Sequence, residues 1–208
     1  MKGRFLSEVV RLGSADAGET LGLALEKKLP IVLASRGGSA PIPGISAHLK
    51  KMLAHPMPVT GVLSGRATGD VSTLFLACDV LMMAPRSALV LDPKGRGEVV
   101  LLAMRLGHGG SSRVWFSGGR LSSREAERAG WAEVVRDGFD AALDAARGRF
   151  DGLSPKALGL LRPLLHHQAG LPVWPAQALE RAAFALAFET GDPAEGVAAF
   201  LEKRKPRF

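Results

Sequence analysis

The sequence of 208 residues predicts an α/β fold in which helices pack against sheets. Short continuous apolar runs, such as IVLAS at 31–35 and VTGVL at 59–63, are typical of strands that are buried on both faces. Amphipathic segments of helical length, such as ISAHLKKMLAH at 45–55, alternate with these runs. Because apolar residues make up 47% of the chain, it can form a sizeable core.

Turn-forming residues separate the elements of the first half. Pro30 opens a strand, the loop RGGSAPIPG leads into a helix, and Pro56 and Pro58 end that helix. The stretch GRATGD is a glycine turn that precedes an abruptly apolar helix. The predicted strands cover residues 8–13, 31–35, 59–65, 80–84 and 87–92, and the predicted helices cover 19–28, 45–55 and 70–79.

The second half is predicted to be mainly helical. Ser122 and Glu125 form a capping box for the helix REAERAG, which a short strand AEVVRD follows. Four more helices come after Gly138, and the last of them has Asp192 as its N-cap and Pro193 at its first position. We therefore divide one domain into a core at 1–137 and a C-terminal helical region at 138–208.

Composition narrows the classes of function. The net charge of +7 favours polyanionic partners such as nucleotides, phosphates, RNA or acidic lipid, although a general bias towards Arg explains it equally well. Cys78 is the single cysteine, so the sequence predicts no disulfide framework, and no Cys/His cluster has zinc-ligand spacing. The apolar stretch at 71–84 is too short for a membrane span and contains Asp79. We expect a soluble, cytoplasmic protein without a metal.

Three stretches in the same order resemble the enoyl-CoA hydratase/isomerase, or crotonase, superfamily. They are LKKMLAHPMPVTGVLSGRATGDVSTLFLACDV, FSGGRLSSREAERAGWAEVV and LERAAFALAFETGDPAEGVAAFLEKRKPRF. The resemblance implies a crotonase-like spiral of ββα turns followed by helices for oligomerisation, which build a homo-trimer or a hexamer. It also implies an acyl-CoA thioester as the partner, with coenzyme A as part of the substrate and no separate cofactor.

The same resemblance implies an oxyanion hole made of two backbone N–H groups, which polarise the thioester carbonyl. The first donor falls on Gly44, in the loop ASRGGSAPIPGI. The second falls on Asp70, where the family usually has the central glycine of a GGG turn, and Gly69 matches the first glycine. A competing interpretation makes Asp70 only the N-cap of the following helix, with Thr73 as its third residue.

The acid/base positions depart from the pattern of the hydratases. Thr73 stands where one of their two glutamates lies, and a hydroxyl is no general base near neutral pH unless another group activates it. Asp92 or Pro93 matches the second glutamate, depending on a shift of one residue. Asp92 is a candidate for a lone acid/base, and an Asp-Pro turn that ends a strand is the competing interpretation. Glu98, in the first turn of a helix, is a weaker candidate. The segment after Pro93, which in the family shapes the acyl pocket, is shortened.

Further contacts with coenzyme A are implied by the resemblance at Ala34, Ser35, Arg36, Gly69, Lys203 and Lys205. His166 and His167 have no carboxylate or cysteine at ligand spacing, and we expect the pair on a helix surface.

Three hypotheses of function follow. The first is an acyl-CoA enzyme of the hydratase or isomerase type. The second is a catalytically degenerate member of the family that binds acyl-CoA or serves as a subunit of an oligomer. The third is nucleic-acid binding through the basic surface, which is unlikely because no segment resembles an RNA-binding motif.

Overall fold

The computed structural model describes residues 7–168 and 170–208, which form eight strands and nine helices. The strands are β1 (Glu8–Arg11), β2 (Ile31–Ser35), β3 (Val59–Leu63), β4 (Arg66–Ala67), β5 (Val80–Met83), β6 (Ala88–Val90), β7 (Arg120–Ser122) and β8 (Ala132–Val134). The helices are α1 (Ala17–Glu26), α2 (Ile45–Ala54), α3 (Gly69–Leu76), α4 (Glu98–Phe116), α5 (Ser123–Arg128), α6 (Phe139–Gly148), α7 (Pro155–His167), α8 (Val173–Phe188) and α9 (Asp192–Leu201).

The larger sheet is parallel and has the order β1-β2-β3-β5-β8. Every residue of β2 and β3 is buried, as their continuous apolar sequences predict. Because all these strands are parallel, their carboxyl ends meet at one edge, and the loops that follow β2 and β3 leave the sheet side by side.

A smaller sheet has the order β4-β6-β7, with β4 parallel and β7 antiparallel to β6. One turn of the chain comprises β3, β4 and α3, and the next comprises β5, β6 and α4, so successive turns add a strand to each sheet and then a helix. The strands β4 and β7 were not predicted, because two or three residues are too few to show a period.

The helix α3 lies inside the core. All residues from Val71 to Leu76 are buried, and Phe75 packs among the apolar side chains of both neighbouring layers. From Val71 to Leu76 this helix has no exposed face, and its only polar residues there are Ser72 and Thr73. Its N-terminus is therefore held in a fixed place at the end of the β3–β4 segment.

The C-terminal helices differ in how they meet the core. Ala142, Leu143 and Ala146 of α6 pack against the face of the larger sheet. By contrast, none of the sixteen described residues of α8 is buried. Nowhere in 7–168 or 170–208 is a helix both long and apolar enough to cross a membrane.

Two helix starts test the capping predictions. The capping box of Ser122 and Glu125 is confirmed, with both reciprocal hydrogen bonds present. The predicted N-cap at Asp192 is wrong by one residue, because the helix already begins there and Gly191 is the N-cap. The Gly191 carbonyl accepts a hydrogen bond from the N–H of Glu195 at 3.1 Å, so the helical hydrogen bonding starts one residue earlier than predicted.

Candidate active site

Two loops at the carboxyl edge of the larger sheet are joined by hydrogen bonds. We call residues 36–44, between β2 and α2, the first loop. We call residues 64–70, which follow β3 and include β4 and the first two residues of α3, the second loop. The N–H of Gly38 donates to the Arg66 carbonyl at 2.7 Å, and the N–H of Thr68 donates back to the Gly38 carbonyl at 3.0 Å. The two loops therefore form one hydrogen-bonded unit.

Glycines permit this close approach. At Gly37, which has a φ of 98°, a side-chain Cβ would lie 2.8 Å from the Arg66 carbonyl oxygen. At Gly65, with a φ of 91°, it would lie 2.8 Å from the Arg36 carbonyl oxygen. Both contacts are shorter than real Cβ atoms show, and both φ values disfavour other residues. The two loops can lie this close only because each carries glycine at the point of contact.

The backbone N–H groups of Gly44 and Asp70 form no hydrogen bond with any described residue. Gly44 is the N-cap of α2, and Asp70 is the second residue of α3, in the first turn of that helix. The N–H groups of a first helical turn have no partner inside the helix, so they are available to a ligand. Each of the two loops thus ends in a backbone N–H without a partner among residues 7–168 and 170–208, at the two residues where the family resemblance implies a donor.

The interpretation of Asp70 as an N-cap is wrong. Thr68 is the N-cap of α3 and makes no capping hydrogen bond with its side chain. The Asp70 carboxylate instead accepts a hydrogen bond from the N–H of Ile42 at 2.8 Å and pairs with the Arg96 guanidinium. It turns away from its own helix because the first loop offers it a free N–H donor.

Arg96 links this carboxylate to a second one. Its Nε lies 2.8 Å from Glu98 Oε1, and its backbone N–H donates to Glu98 Oε2 at 3.0 Å. The Thr73 hydroxyl lies 3.3 Å from the same Oε1 atom, so Glu98 comes next to the residue that replaces a hydratase glutamate. Asp70, Thr73, Arg96 and Glu98, which we call the polar cluster, join the second loop and α3 to the start of α4.

Two groups of the polar cluster, Glu98 and Arg96, stabilise each other's charged form. Burial by itself would raise the pKa of the Glu98 carboxyl, but hydrogen bonds from its own backbone N–H and from Arg96 outweigh burial and lower the pKa. Burial likewise opposes the charge of Arg96, yet its two carboxylate partners raise the pKa of the guanidinium. Glu98 is only 1% exposed and stays deprotonated at neutral pH, so it is a poor proton donor.

Asp92 lies outside the polar cluster. Its side chain is 59% exposed and pairs with Lys94 at 3.2 Å, and within the described chain it has no hydrogen bond to a cluster residue. Its neighbours Leu91 and Pro93 line a largely apolar cavity of about 560 Å³ beside α4. The role of Asp92 as an acid/base stays a prediction.

The residues predicted to contact coenzyme A fall in two places. Ala34 and Ser35 end β2, Arg36 begins the first loop, and Gly69 begins α3. The exposed guanidinium of Arg36 pairs with Asp140 at 2.9 Å and lies over the ring of Phe139. Lys203 and Lys205 are exposed in the tail after α9. Their contacts with coenzyme A remain predictions.

The expectation that the histidine pair lies on a helix surface holds for His167, which is exposed, but His166 is only 19% exposed and contacts a carboxylate. Its Nε2 lies 2.8 Å from Asp79 Oδ1, and the buried Arg162 donates to Asp79 Oδ2 at 2.6 Å. Arg162 also donates to the carbonyl oxygens of Met52 and His55. Asp79 is 87 residues from His166 in sequence, so local ligand spacing gave no sign of the pair. This contact docks α7 on the core.

Sequence reasoning missed Arg96 altogether and ranked Glu98 below Asp92. Both lie in the shortened segment PKGRGE, which carries no periodic pattern. The useful signal was the Arg-x-Glu spacing at the start of a helix, since an arginine forms strong charge-assisted hydrogen bonds with carboxylates. Only the fold shows which neighbour that is.

Known proteins resemble this chain in sequence and in fold. The sequence pattern of the family described as enoyl-CoA hydratase/isomerase matches residues 39–208. The 2,3-dehydroadipyl-CoA hydratase of Escherichia coli (strain K12) is 29% identical over 170 residues, which cover 76% of this chain and 65% of that protein. The human enoyl-CoA hydratase domain-containing protein 2, mitochondrial, is also 29% identical, over 77% of this chain and 59% of its own length. The chain thus spans less than two thirds of the length of these relatives.

Solved structures share the fold. A crystal structure of an enoyl-CoA hydratase from Polaromonas sp. JS666 has a TM-score of 0.82 at 24% identity and covers 100% of this chain and 97% of that one. An enoyl-CoA hydratase from Bacillus anthracis has a TM-score of 0.82 at 23% identity, over 95% and 90% of the two chains. The crotonase-like fold predicted from the sequence is confirmed. Since the family pattern covers most of the chain, this protein belongs to the enoyl-CoA hydratase/isomerase family.

Proposed function

We propose that this protein binds acyl-CoA thioesters and polarises the thioester carbonyl between the backbone N–H groups of Gly44 and Asp70. One observation carries the proposal. These two donors are unpaired within the described chain, and they end two loops that hydrogen-bond to each other. Their positions also match the donors that the family resemblance implies.

The chemistry of such a site is electrostatic. Enolate-like negative charge develops on the thioester oxygen during hydration or isomerisation, and donors already in place stabilise that charge without reorganising. Removing one donor of this kind costs about 3–4 kcal/mol of transition-state stabilisation. The N-terminus of α3 adds the positive end of its dipole behind Asp70.

For proton transfer, we propose Asp92 as the acid/base. It is exposed, and it lies between two residues that line the apolar cavity beside α4. Glu98 is excluded from proton donation at neutral pH because its pKa is lowered and its oxygens are occupied by Arg96. The reaction would then resemble isomerisation, which one carboxylate can perform by moving a proton between two carbons.

A second candidate is an acyl-CoA binder without turnover. The observation that favours it is the replacement of a hydratase glutamate by Thr73, whose hydroxyl contacts the Gly69 carbonyl, the Arg96 guanidinium and the buried Glu98. Such a protein would keep the oxyanion hole for binding and lack a group that activates water.

We extend the proposal to the coenzyme A moiety, the assembly and the compartment. Ala34, Ser35, Arg36, Lys203 and Lys205 would contact coenzyme A, and the last four carry a hydroxyl or a positive charge that suits phosphate groups. The C-terminal helices would build a homo-trimer or a hexamer. With a single, buried cysteine, the protein would act in the reducing cytoplasm.

The test measures turnover and binding separately. Loss of the enoyl-thioester absorbance of crotonyl-CoA supports hydration, and conversion of a β,γ-unsaturated acyl-CoA to its conjugated isomer supports isomerisation. An Asp92→Asn variant that retains full turnover would remove Asp92 from the mechanism.

Binding is followed by thermal unfolding with acetyl-CoA, a longer acyl-CoA and free coenzyme A. A ligand at about one hundred times its Kd should stabilise the folded protein by about 2.7 kcal/mol. Stabilisation without turnover would favour the binder. Absence of both would reject both candidates.

A further inference from the structure

The side chain of Asp70 reaches across to the first loop. Its Oδ2 accepts the N–H of Ile42 at 2.8 Å, two residues before Gly44. The backbone N–H of Asp70 itself, at the end of the second loop, has no partner in the described part of the chain. One residue therefore contributes a proposed donor through its backbone and holds the loop of the other proposed donor through its carboxylate.

We infer that the Asp70 side chain is a positioning group, which sets the first donor relative to the second and is itself neutralised by Arg96. The inference rests on the proposed function of the two N–H groups. It explains how a carboxylate can occupy a position where negative charge has to be stabilised.

Both oxygens of Asp70 are engaged. Oδ2 binds the Ile42 N–H and Oδ1 binds the guanidinium of Arg96, so the carboxylate is directed at the loop and at α4. The side chains of Asp70 and Arg96 are 16% and 15% exposed, so water screens their mutual attraction only weakly. A bound thioester oxygen would meet an ion pair at this point and not a free anion.

Arg96 is itself held in place. Glu98 accepts from its Nε at 2.8 Å and from its backbone N–H at 3.0 Å, which fixes the guanidinium from the buried side. The contacts run from Ile42 through Asp70 and Arg96 to Glu98 and thus tie the first loop, α3 and α4 together. Such a chain of charge-assisted hydrogen bonds fixes geometry more strongly than neutral ones do.

The first experiment replaces Asp70 by glycine, which keeps the backbone N–H and removes the carboxylate. Hydrogen exchange followed by NMR should show the Ile42 amide exchanging about tenfold faster or more in Asp70→Gly, because it loses a hydrogen bond to a charged acceptor. The control is Asp144→Gly, the same change in helix α6 at a carboxylate that pairs only with the exposed Arg147. Unchanged exchange of Ile42 in Asp70→Gly would overturn the inference, whatever the protein binds.

The second experiment reads the carbonyl itself. Dimethylaminocinnamoyl-CoA is a conjugated thioester whose absorbance shifts to longer wavelength when its carbonyl is polarised. We expect a shift with the natural sequence, a clearly smaller shift with Asp70→Gly, and unchanged affinity for free coenzyme A. The Arg96→Gln variant leaves Asp70 in place without its counter-ion and should also reduce the shift. This second variant tests the inference even if Asp70→Gly does not fold.

The outcomes separate the two proposals. A protein of natural sequence that binds no acyl-CoA would contradict the proposed function. A full spectral shift in both Asp70→Gly and Arg96→Gln, with binding intact, would contradict the positioning role alone.

Discussion

At the scale of single residues, the charges around α3 decide which chemistry is open to the site. Asp70 and Glu98 each share the guanidinium of Arg96, and Thr73 adds a hydroxyl that contacts Glu98. Two carboxylates beside a reaction centre usually divide the work of acid and base because their pKa values differ. Here the pKa of Glu98 is lowered and Arg96 pairs with both carboxylates, so these contacts join the second loop and α3 to the start of α4.

The sequence singled out the residues of the two proposed backbone donors but not this cluster. Gly44 and Asp70 lie in recognisable loops, and a backbone N–H is offered whatever side chain the residue carries. By contrast, Arg96, the partner of Asp70, is 26 residues away in sequence. Whether the Asp70 carboxylate caps α3 or binds another loop depends on which hydrogen-bond donors the fold brings near it. The local preference of Asp for capping favours a bond to its own helix, but the contacts with Ile42 and Arg96 override that preference.

Gly61 in the middle of β3 provides a test of packing at one residue. A Cβ there would lie 2.7 Å from Cδ1 of the fully buried Phe75 and 3.0 Å from Cδ1 of Leu81. We expect Gly61→Ala to lower the free energy of unfolding by about 1–3 kcal/mol, since the core has to shift to admit the methyl group. Urea denaturation followed by circular dichroism measures it.

The matched control is Gly109→Ala. Gly109 is exposed in α4, and apart from its chain neighbours and the nearby backbone of its own helix, no described atom lies within 4 Å of the added Cβ. The same substitution there should leave the free energy of unfolding unchanged or raise it by up to about 1 kcal/mol. Equal effects at both sites would contradict the packing explanation.

At the scale of elements, buried polar contacts fix a helix that has few apolar anchors. In α7, Leu158 and Arg162 are the buried residues, and Arg162 is 4% exposed. Its guanidinium binds Asp79 and the carbonyl oxygens at the end of α2, while His166 binds the other oxygen of Asp79. The position of α7 thus depends on the carboxylate of Asp79, which lies between α3 and β5.

The pH dependence of stability follows from Asp79. Burial alone would raise its pKa, but the hydrogen bond with His166 and the charge of Arg162 outweigh burial and lower the pKa from its ordinary value of 3.8. A carboxyl with a lower pKa in the folded state stabilises the fold above its unfolded pKa and loses that contribution as the pH falls through the folded value. We expect thermal unfolding to show this loss below pH 3.8.

The Asp79→Asn variant isolates the effect. It should be less stable by about 3 kcal/mol at neutral pH, because it leaves the buried Arg162 without its counter-charge. It should also lose less stability on acidification than the natural protein does. Asp144→Asn, at an exposed pair on α6, is the control and should match the natural protein at both ends of the range.

The elements themselves could be predicted where their sequence pattern is long. All strands with continuous apolar runs and all four C-terminal helices were located, because burial and helical periodicity leave clear signatures. The strands β4 and β7 were missed, since they exist only through pairing with β6. The docking of α7 was missed for a similar reason: its partner Asp79 belongs to another element.

At the scale of the whole molecule, the last two helices expose more apolar surface than a single chain needs. Large side chains on α8 and α9 are open to solvent, including Trp174 at 76%, Phe184 at 65% and Phe200 at 82%. The ring centroids of Phe184 and Phe188 lie 4.7 Å apart with the rings tilted by 39°, so the two side chains form one aromatic patch. Surfaces of this kind mark contacts with other chains, which agrees with the proposed homo-oligomer.

Light scattering after size-exclusion chromatography checks the assembly. We expect the mass of a trimer or a hexamer for the natural sequence, and a shift towards monomer for Phe184→Glu combined with Phe200→Glu, because a buried charge without a partner opposes association. Leu23→Glu, at a 57% exposed position of α1, is the matched control and should keep the oligomer. A monomeric natural protein would contradict the prediction.

The bonds between the first and second loops have a consequence for how the site is lost. Gly38 and Ala67 pair as a short β-bridge, and Ile42 is bound to Asp70, so neither loop can move outward without carrying the other. The two donors should therefore fail together, in one cooperative opening, and not one after the other. Heating or denaturant would then leave molecules with a complete site or with none, and the population of half-formed sites would stay small.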